Sequence, residues 1–341
     1  MTHQMDNKAA ILSQTEERPG LLRPLRRIWR ILLSRHEVVV LVLLLVIGAF
    51  LSLRTDTFLT WNNLSNISRA FSWIAVAAFG ESMTIIIGGI DLSVGAVMAL
   101  AGLISARCLE VGLPVPLAIV AGLLTGGLVG WFNGTLVGRV RLPPFIVTLA
   151  TMSIARGIAF GLTGGWPVRN LPQGFRTLGQ HDLSLGSLSL PLPFLFMLAL
   201  AVLVSLLMSK TVLGNYIYTL ASSERALLVS GINVVQIKAL VYTLCGVLTA
   251  VGGLLMTARL GVAAPTAAVG YELDIIAAAV IGGTSLFGGE GSTLGVLLGA
   301  AIMQVLRNGL VLLGLSAYWQ TAALGTMILA FILWDHWRRQ I

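Results

Sequence analysis

Apolar residues in this chain gather into long runs instead of alternating with polar ones. The runs fall near residues 38–53, 69–88, 92–109, 115–137, 144–163, 190–208, 239–258, 271–287, 292–313 and 316–334. Several reach the roughly 20 residues that a helix needs to cross the hydrocarbon layer of a bilayer. The first run is short and the eighth opens with Glu272 and Asp274, so nine or eleven spans stand beside ten. The pattern predicts an all-α, polytopic membrane helix bundle of about ten transmembrane helices.

Composition supports a membrane-embedded chain. Hydrophobic residues make up 56% of 341 and charged residues 11%, and the mean hydropathy is +0.90. A soluble domain carries about 25% charge, so this chain has too little polar surface to face water on every side. Charge placement then orients it. With the N-terminus inside, Lys8, Arg18, Arg23, Arg26, Arg27, Arg30, Arg35, Arg139, Arg141, Lys210, Arg225, Lys238, Arg338 and Arg339 fall on the cytoplasmic side. The other side carries Arg54, Arg69, Arg107, Arg169, Arg176 and Arg259. An inside excess of this kind sets orientation, and an even number of spans keeps Arg338 and Arg339 inside. Trp61, Trp73, Trp166, Trp319, Trp334 and Trp337 lie at or just beyond run ends, where amphipathic rings favour the interface.

The net charge of +8 does not point to nucleic acid. Leu22, Leu25, Trp29 and Leu32 share one helical face, and Arg23, Arg27 and Arg30 share another. That describes an amphipathic helix lying on an anionic inner leaflet. Residues 1–37 are thus expected to form a polar, basic cytoplasmic leader, and 38–341 a single transmembrane domain. A first run starting at residue 38 is too late for a secretory signal peptide. Cys108 and Cys245 are too few for a disulfide framework.

Two stretches repeat one pattern, IGGxxLxxG, at 87–95 and 281–289, each where one apolar run gives way to another. Glycine pairs permit a tight turn and a close backbone approach. The candidate helix-break residues are Gly88, Gly89 and Asp91, then Gly282 and Gly283. Asp91 with Ser93, or Thr284 with Ser285, offers side-chain oxygens near the next helix start, and Asp91 reads most simply as a helix cap. The match is either a coincidence of glycine-rich helix ends or a pair of related units in one membrane domain.

Two connections are long. Residues 164–189 are rich in turn formers and expected outside. Residues 209–238 are expected inside and hold a short helix opened by Ser222 or Ser223 and closed by Gly231, after which Asn233 caps the next span. Such a helix reads either as a docking element or as an ordinary interfacial helix.

No GxxxxGK[ST] occurs, so the chain has no P-loop for nucleotide. The scattered His3, His36, His181 and His336 form no metal-ligand spacing, there is no GxSxG elbow, and no cofactor is implied. Ionisable residues within spans are costly unless paired or wet. Glu81 and Arg156 could pair as a brace between two helices or line a polar route. Asp274 and Arg307, both toward the outer side, could snorkel or meet an entering solute.

The motifs GGIDLSVG at 88–95, LPPFIVTLATMSIARG at 142–157, TGGWPVRNLP at 163–172 and IGGTSLFGGEGS at 281–292 occur in one order. Together they resemble the ribose-type permease family of ATP-binding cassette importers, from about residue 40 to 335. The resemblance implies a bacterial inner-membrane subunit that imports a monosaccharide or similar polar solute. It also implies partners: cytoplasmic ATP-binding subunits, a periplasmic or lipoprotein binding protein, and a second permease subunit, identical or paralogous. On that resemblance the inner loop matches the family's coupling segment, centred on Ser223, Glu224, Arg225, Ala226 and Gly231, and the outer loop lies near the docked binding protein. Glu81 and the long leader have no counterpart in these motifs. The rival readings are an ion-coupled secondary transporter and a membrane enzyme or scaffold.

Reporter fusions after residue 20, within 164–189, within 209–238 and at the C-terminus are expected to read inside, outside, inside and inside. A C-terminal reporter found outside would remove one span.

Overall fold

The computed structural model describes residues 36–186 and 188–340. The leader helix expected over 22–32 lies outside the described residues. Helices α1 (His36–Arg54), α2 (Trp61–Ile86), α3 (Val94–Glu110), α4 (Val115–Thr135) and α5 (Pro144–Thr163) follow one another through short connections. Then come α6 (Gln173–Gln180), strands β1 (Asp182–Leu185) and β2 (Leu188–Pro191), and α7 (Leu192–Lys210). The chain continues with α8 (Val212–Ser222), α9 (Glu224–Val229), α10 (Val234–Leu260), α11 (Tyr271–Ile281), α12 (Thr293–Leu312) and α13 (Ala317–Gln340). Each apolar run of the sequence becomes one helix. Local chemistry sets many of the starts: Thr60, Thr211, Ser223, Asn233 and Ser292 each accept a backbone N–H of the first turn. Proline opens α4, α5 and α7, where its missing N–H costs nothing.

Six of these helices are long and apolar enough to cross a membrane: α1, α4 with its extension to Val140, α5, α7, α10 and α12. The central α2 is polar in places, holding Arg69 and Glu81, yet it is almost wholly enclosed by its neighbours. Two expectations are corrected. The eighth run, read as 271–287, stops being helical at Ile281, because the Gly282-Gly283 pair breaks it. At 11 residues α11 spans about 16 Å, roughly half the hydrocarbon layer. The bundle is also not purely α. Residues 182–191 form an antiparallel hairpin with Asp182 opposite Pro191 and Leu183 opposite Leu190. The alternation in DLSLGSLSLP carries the period-two signal of a strand pair, with Gly186 in the left-handed region at the turn.

The tightest packing joins α4 to α10. Gly122, Gly126, Gly130 and Gly134 recur every fourth residue along α4, all buried, and Gly138 continues the row into a five-residue π-helical extension, Leu136–Val140. Gly126 meets Gly246 so closely that a Cβ on either would strike the other's backbone, while Gly130 abuts the Tyr242 carbonyl and Gly134 abuts Ala239. Small residues at this spacing let two helices in lipid gain dispersion energy from backbone contact.

The connections collect at two ends. At the end expected to face outward, Val168 and Ala263 exchange backbone hydrogen bonds of 2.8 and 2.9 Å, Arg69 pairs with Asp182, and Arg259 donates to Asn66 at 3.0 Å. At the opposite end, His36 Nε2 lies 2.9 Å from the Ile281 carbonyl oxygen and Ser292 donates to Glu37 at 2.9 Å.

Gly130→Val is expected to cost about 3 kcal/mol, since added bulk meets backbone that cannot yield. Gly157→Ala, whose Cβ meets nothing within 4 Å, serves as the control. Fluorescence-detected gel filtration should show aggregation for the first and wild-type yield for the second.

Candidate functional site

The two glycine repeats are both helix breaks, but they are not superimposable residue for residue. At the first, Gly88 takes φ +79°, its N–H donates to Ile85 at 2.9 Å, and the Gly89 N–H reaches back to Thr84 at 2.8 Å. At the second, Gly283 takes φ +94°, its N–H donates to Val280 at 2.9 Å, and the Thr284 N–H reaches Ala279 at 3.0 Å. The left-handed residue is therefore the first glycine of one pair and the second of the other. The remaining glycine in each case allows close approach: Gly89 to the Tyr242 hydroxyl and Gly282 to the Gly295 backbone.

Around the first break the buried polar groups form a connected set. Glu81 Oε1 accepts the Asp91 N–H at 3.0 Å, and Cys245 Sγ lies 3.8 Å from Oε2. Asp91 Oδ1 accepts the Ser93 N–H at 2.8 Å together with its hydroxyl. Asn133 bridges Asp91 and Ser93, at 3.4 and 3.2 Å, and accepts from Thr151 at 2.7 Å. Asp91 is thus not the cap of α3. Ser93 is the capping position, and Asp91, two residues earlier, closes a local turn through its side chain. Tyr242, buried against Gly89, has no partner for its hydroxyl among the described residues.

The anticipated Glu81–Arg156 pair does not form. Arg156 instead donates to the carbonyls of Pro265 and Ala267, at 2.7 and 2.8 Å, and so fastens the connection between α10 and α11. Asp274 and Arg307 pair with each other across α11 and α12, with the guanidinium 5.2 Å from the Tyr271 ring centroid. Neither snorkels alone. These partners were hidden because they lie far along the chain, and in the case of Arg156 they are backbone oxygens that no side-chain pattern reveals.

The inner loop folds much as its sequence suggests. Ser223 caps α9 through the Ala226 N–H at 3.1 Å, Gly231 takes φ +77° beyond its end, and Asn233 caps α10 through Gln236 at 3.1 Å. Glu224 pairs with Lys238 of α10 at 2.9 Å, which ties the short helix to the bundle. Leu227 faces inward, whereas Arg225, Ala226, Leu228 and Val229 are exposed. A cavity of about 690 Å³ separates α9 from the first break, with Gly88, Gly89, Arg141, Glu224, Arg225 and Tyr242 among its walls. Residues foreseen as a helix break and residues foreseen as a coupling segment therefore face one another. Arg141, at φ +61°, ends the π-helical extension and stands on the rim; nothing in the sequence marked it for that place.

Known proteins fix the class to which this arrangement belongs. Residues 63–332 match the family described as branched-chain amino acid transport system, permease component, and the chain belongs to that family. It is a membrane permease, a transport subunit of the ATP-binding cassette import class located in the bacterial inner membrane, and not itself an enzyme. Within the family it is similar to the ribose import permease of Haemophilus influenzae, 40% identical over 314 residues that cover 91% of this chain and 95% of that one. The ribose import permease of Bacillus subtilis is 39% identical, with coverage of 86% and 90%. The D-allose transport system permease of Escherichia coli is 36% identical, with coverage of 86% and 89%. No solved structure matches the chain. Membership decides against both the ion-coupled transporter and the membrane enzyme.

Removing Arg307 strands a buried carboxylate. Arg307→Met is expected to lower stability by about 3 kcal/mol, and Arg307→Met with Asp274→Asn to recover most of it. Glu81→Gln and Arg156→Met should instead be additive in thermal stability of the purified protein, since these two side chains bond to different groups.

Proposed function

We propose that the chain is the permease of a monosaccharide importer, crossing the membrane about ten times with both ends in the cytoplasm. The observation that carries the substrate class is full-length similarity to permeases named for ribose and D-allose. α1, α4, α5, α7, α10 and α12 supply full-length spans. α2, α3, α11 and α13 complete the count, with α2 and α11 sheltered by their neighbours. Residues 38–341 form one transmembrane domain.

In this reading a binding protein delivers sugar to the face that carries the 164–189 loop, two permease subunits enclose the route, and ATP-binding subunits push from the cytoplasm. α9 is their docking element, with Ser223, Glu224, Arg225, Ala226 and Gly231 setting its position and ends. Two features support this. The helix is capped at its start, and it faces the Gly88–Asp91 break across one cavity. Arg156 and the Asp274–Arg307 pair act as braces. Glu81 and Asp91 hold the first break in shape.

Purified permease reconstituted with its ATPase and binding protein should take up a pentose or hexose only when ATP is supplied inside. Uptake by the permease alone down an ion gradient would overturn the reading. Glu224→Arg reverses the charge beside Lys238, and Gly231→Val forces a β-branched residue into a left-handed conformation. Both variants should insert normally yet fail to import, with poor co-purification of the ATPase or loss of its response to loaded binding protein. Full uptake by both would remove α9 from the docking role.

A further inference from the structure

Residues 282–292, between α11 and α12, fold into a compact turn. Gly288 N–H donates to Ser285 at 2.9 Å, Ser285 N–H to Glu290 at 3.0 Å, and Phe287 N–H to the Ser285 hydroxyl at 3.3 Å. The turn touches two elements with different duties. On one side lies α8, which leads through Ser223 directly into α9. There the Tyr218 hydroxyl donates to the Gly291 carbonyl at 2.8 Å, and Ala221 packs so closely that a Cβ on Gly288 would sit 3.1 Å from its own. On the other side lies the end of α2. Gly289 N–H donates to the carbonyl of Ile86 at 3.0 Å, and a Cβ on Gly288 would sit 2.8 Å from that same oxygen. Ile86 is the last residue of α2, immediately before the first break.

Movement of α8 and α9 has several routes toward the break. α8 packs directly on α2 and α10, Glu224 ties α9 to Lys238 of α10, and two further features lie between them and the break. α9 faces it across a cavity of about 690 Å³, and open space transmits no displacement. The turn, by contrast, is a packed object in contact with both ends. His36 at the Ile281 carbonyl and Glu37 at Ser292 tie the two ends of the turn to α1. Burial raises the Tyr218 pKa above the ordinary phenol value, so the hydroxyl stays a donor across physiological pH.

We propose that Tyr218 is a positioning residue for energy coupling: its hydrogen bond clamps the 282–292 turn to α8, so that displacement of α8 and α9 is delivered to the end of α2 and the Gly88–Asp91 break. The proposal rests on the reading of α9 as the ATPase docking element. Transport then depends on the turn following α8 at each cycle. Without the clamp, ATP is hydrolysed while the break fails to follow.

Tyr218→Phe keeps the ring and removes the donor. In proteoliposomes holding the permease, its ATPase and loaded binding protein, this variant should assemble at wild-type yield. Sugar imported per ATP hydrolysed should fall about fivefold, the shift that one net hydrogen bond produces in an equilibrium. A merely structural role would lower yield without moving that ratio. A wild-type ratio in the assembled complex would overturn the proposal. Should Tyr218→Phe not assemble, Ala221→Leu wedges α8 away from Gly288, and the same fall, or its absence, decides the matter. Glu224→Arg keeps the two readings apart. If it loses ATPase binding while Tyr218→Phe is silent, docking at α9 stands and the clamp fails. If Glu224→Arg is silent while Tyr218→Phe uncouples, docking at α9 fails, and the clamp survives only as a link between α8 and the end of α2.

Discussion

A bilayer offers no hydrogen-bond partners to an interrupted helix, so each break in this bundle has to be answered by the chain itself. The first break shows how far that demand reaches. The amides of Gly88 and Gly89 return to α2, the Asp91 amide finds the Glu81 carboxylate, and the Ser93 amide finds Asp91. Asn133 of α4 and Thr151 of α5 complete the set. One interruption thereby fixes the relative placement of four helices. The second break is answered instead at the end of the bundle, by partners in α1, α2 and α8.

Ionisable residues obey the same constraint by other means. Asp274 and Arg307 neutralise each other across adjacent helices. Among the described residues Arg156 makes no ion pair, and it instead satisfies its guanidinium with two backbone oxygens of the α10–α11 connection. This difference has a structural consequence. A charge pair joins two helices side by side, whereas an arginine on carbonyls fastens a loop, here one already held by the Val168–Ala263 backbone bonds. Arg69 combines the two roles, since its partner Asp182 belongs to the hairpin on the expected outer face.

Much of this architecture was legible in the residues. Helix positions were readable because a long hydrophobic run has few other fates, and six of those helices are long and apolar enough to cross lipid. The short inner helix was readable because Ser223, Gly231 and Asn233 mark its ends by local chemistry. Long-range partners were not readable. Arg156 meets carbonyls more than a hundred residues on, and no side-chain type advertises a carbonyl. The Gly282-Gly283 break shows a subtler failure: the repeat aligned the two glycine pairs, yet which glycine adopts positive φ depends on where the preceding helix runs out. The α4 glycine row was present in the sequence at a regular spacing, but only contact with Gly246 and Tyr242 shows that it is an interface and not a lipid-facing stripe.

That interface bears on where motion can occur. Where α4 meets α10, backbone touches backbone, and close-packed surfaces resist sliding because any shift opens voids or creates overlap. The pair therefore behaves as a single block, and displacement within it would require separating the glycines altogether. Elsewhere the bundle is jointed: α11 is half-length, the 282–292 turn is held by a few hydrogen bonds, and α8 and α9 meet at Ser223. With α9 as the proposed docking element, work enters through the jointed part and acts against the block. The first break stands at the boundary between them, with Gly89 resting on Tyr242 of the block and Ile86 bonded to Gly289 of the turn. A displacement of the turn of the kind proposed would press on the break from one side while the α4–α10 block holds it from the other, against the hydrogen bonds that fix it.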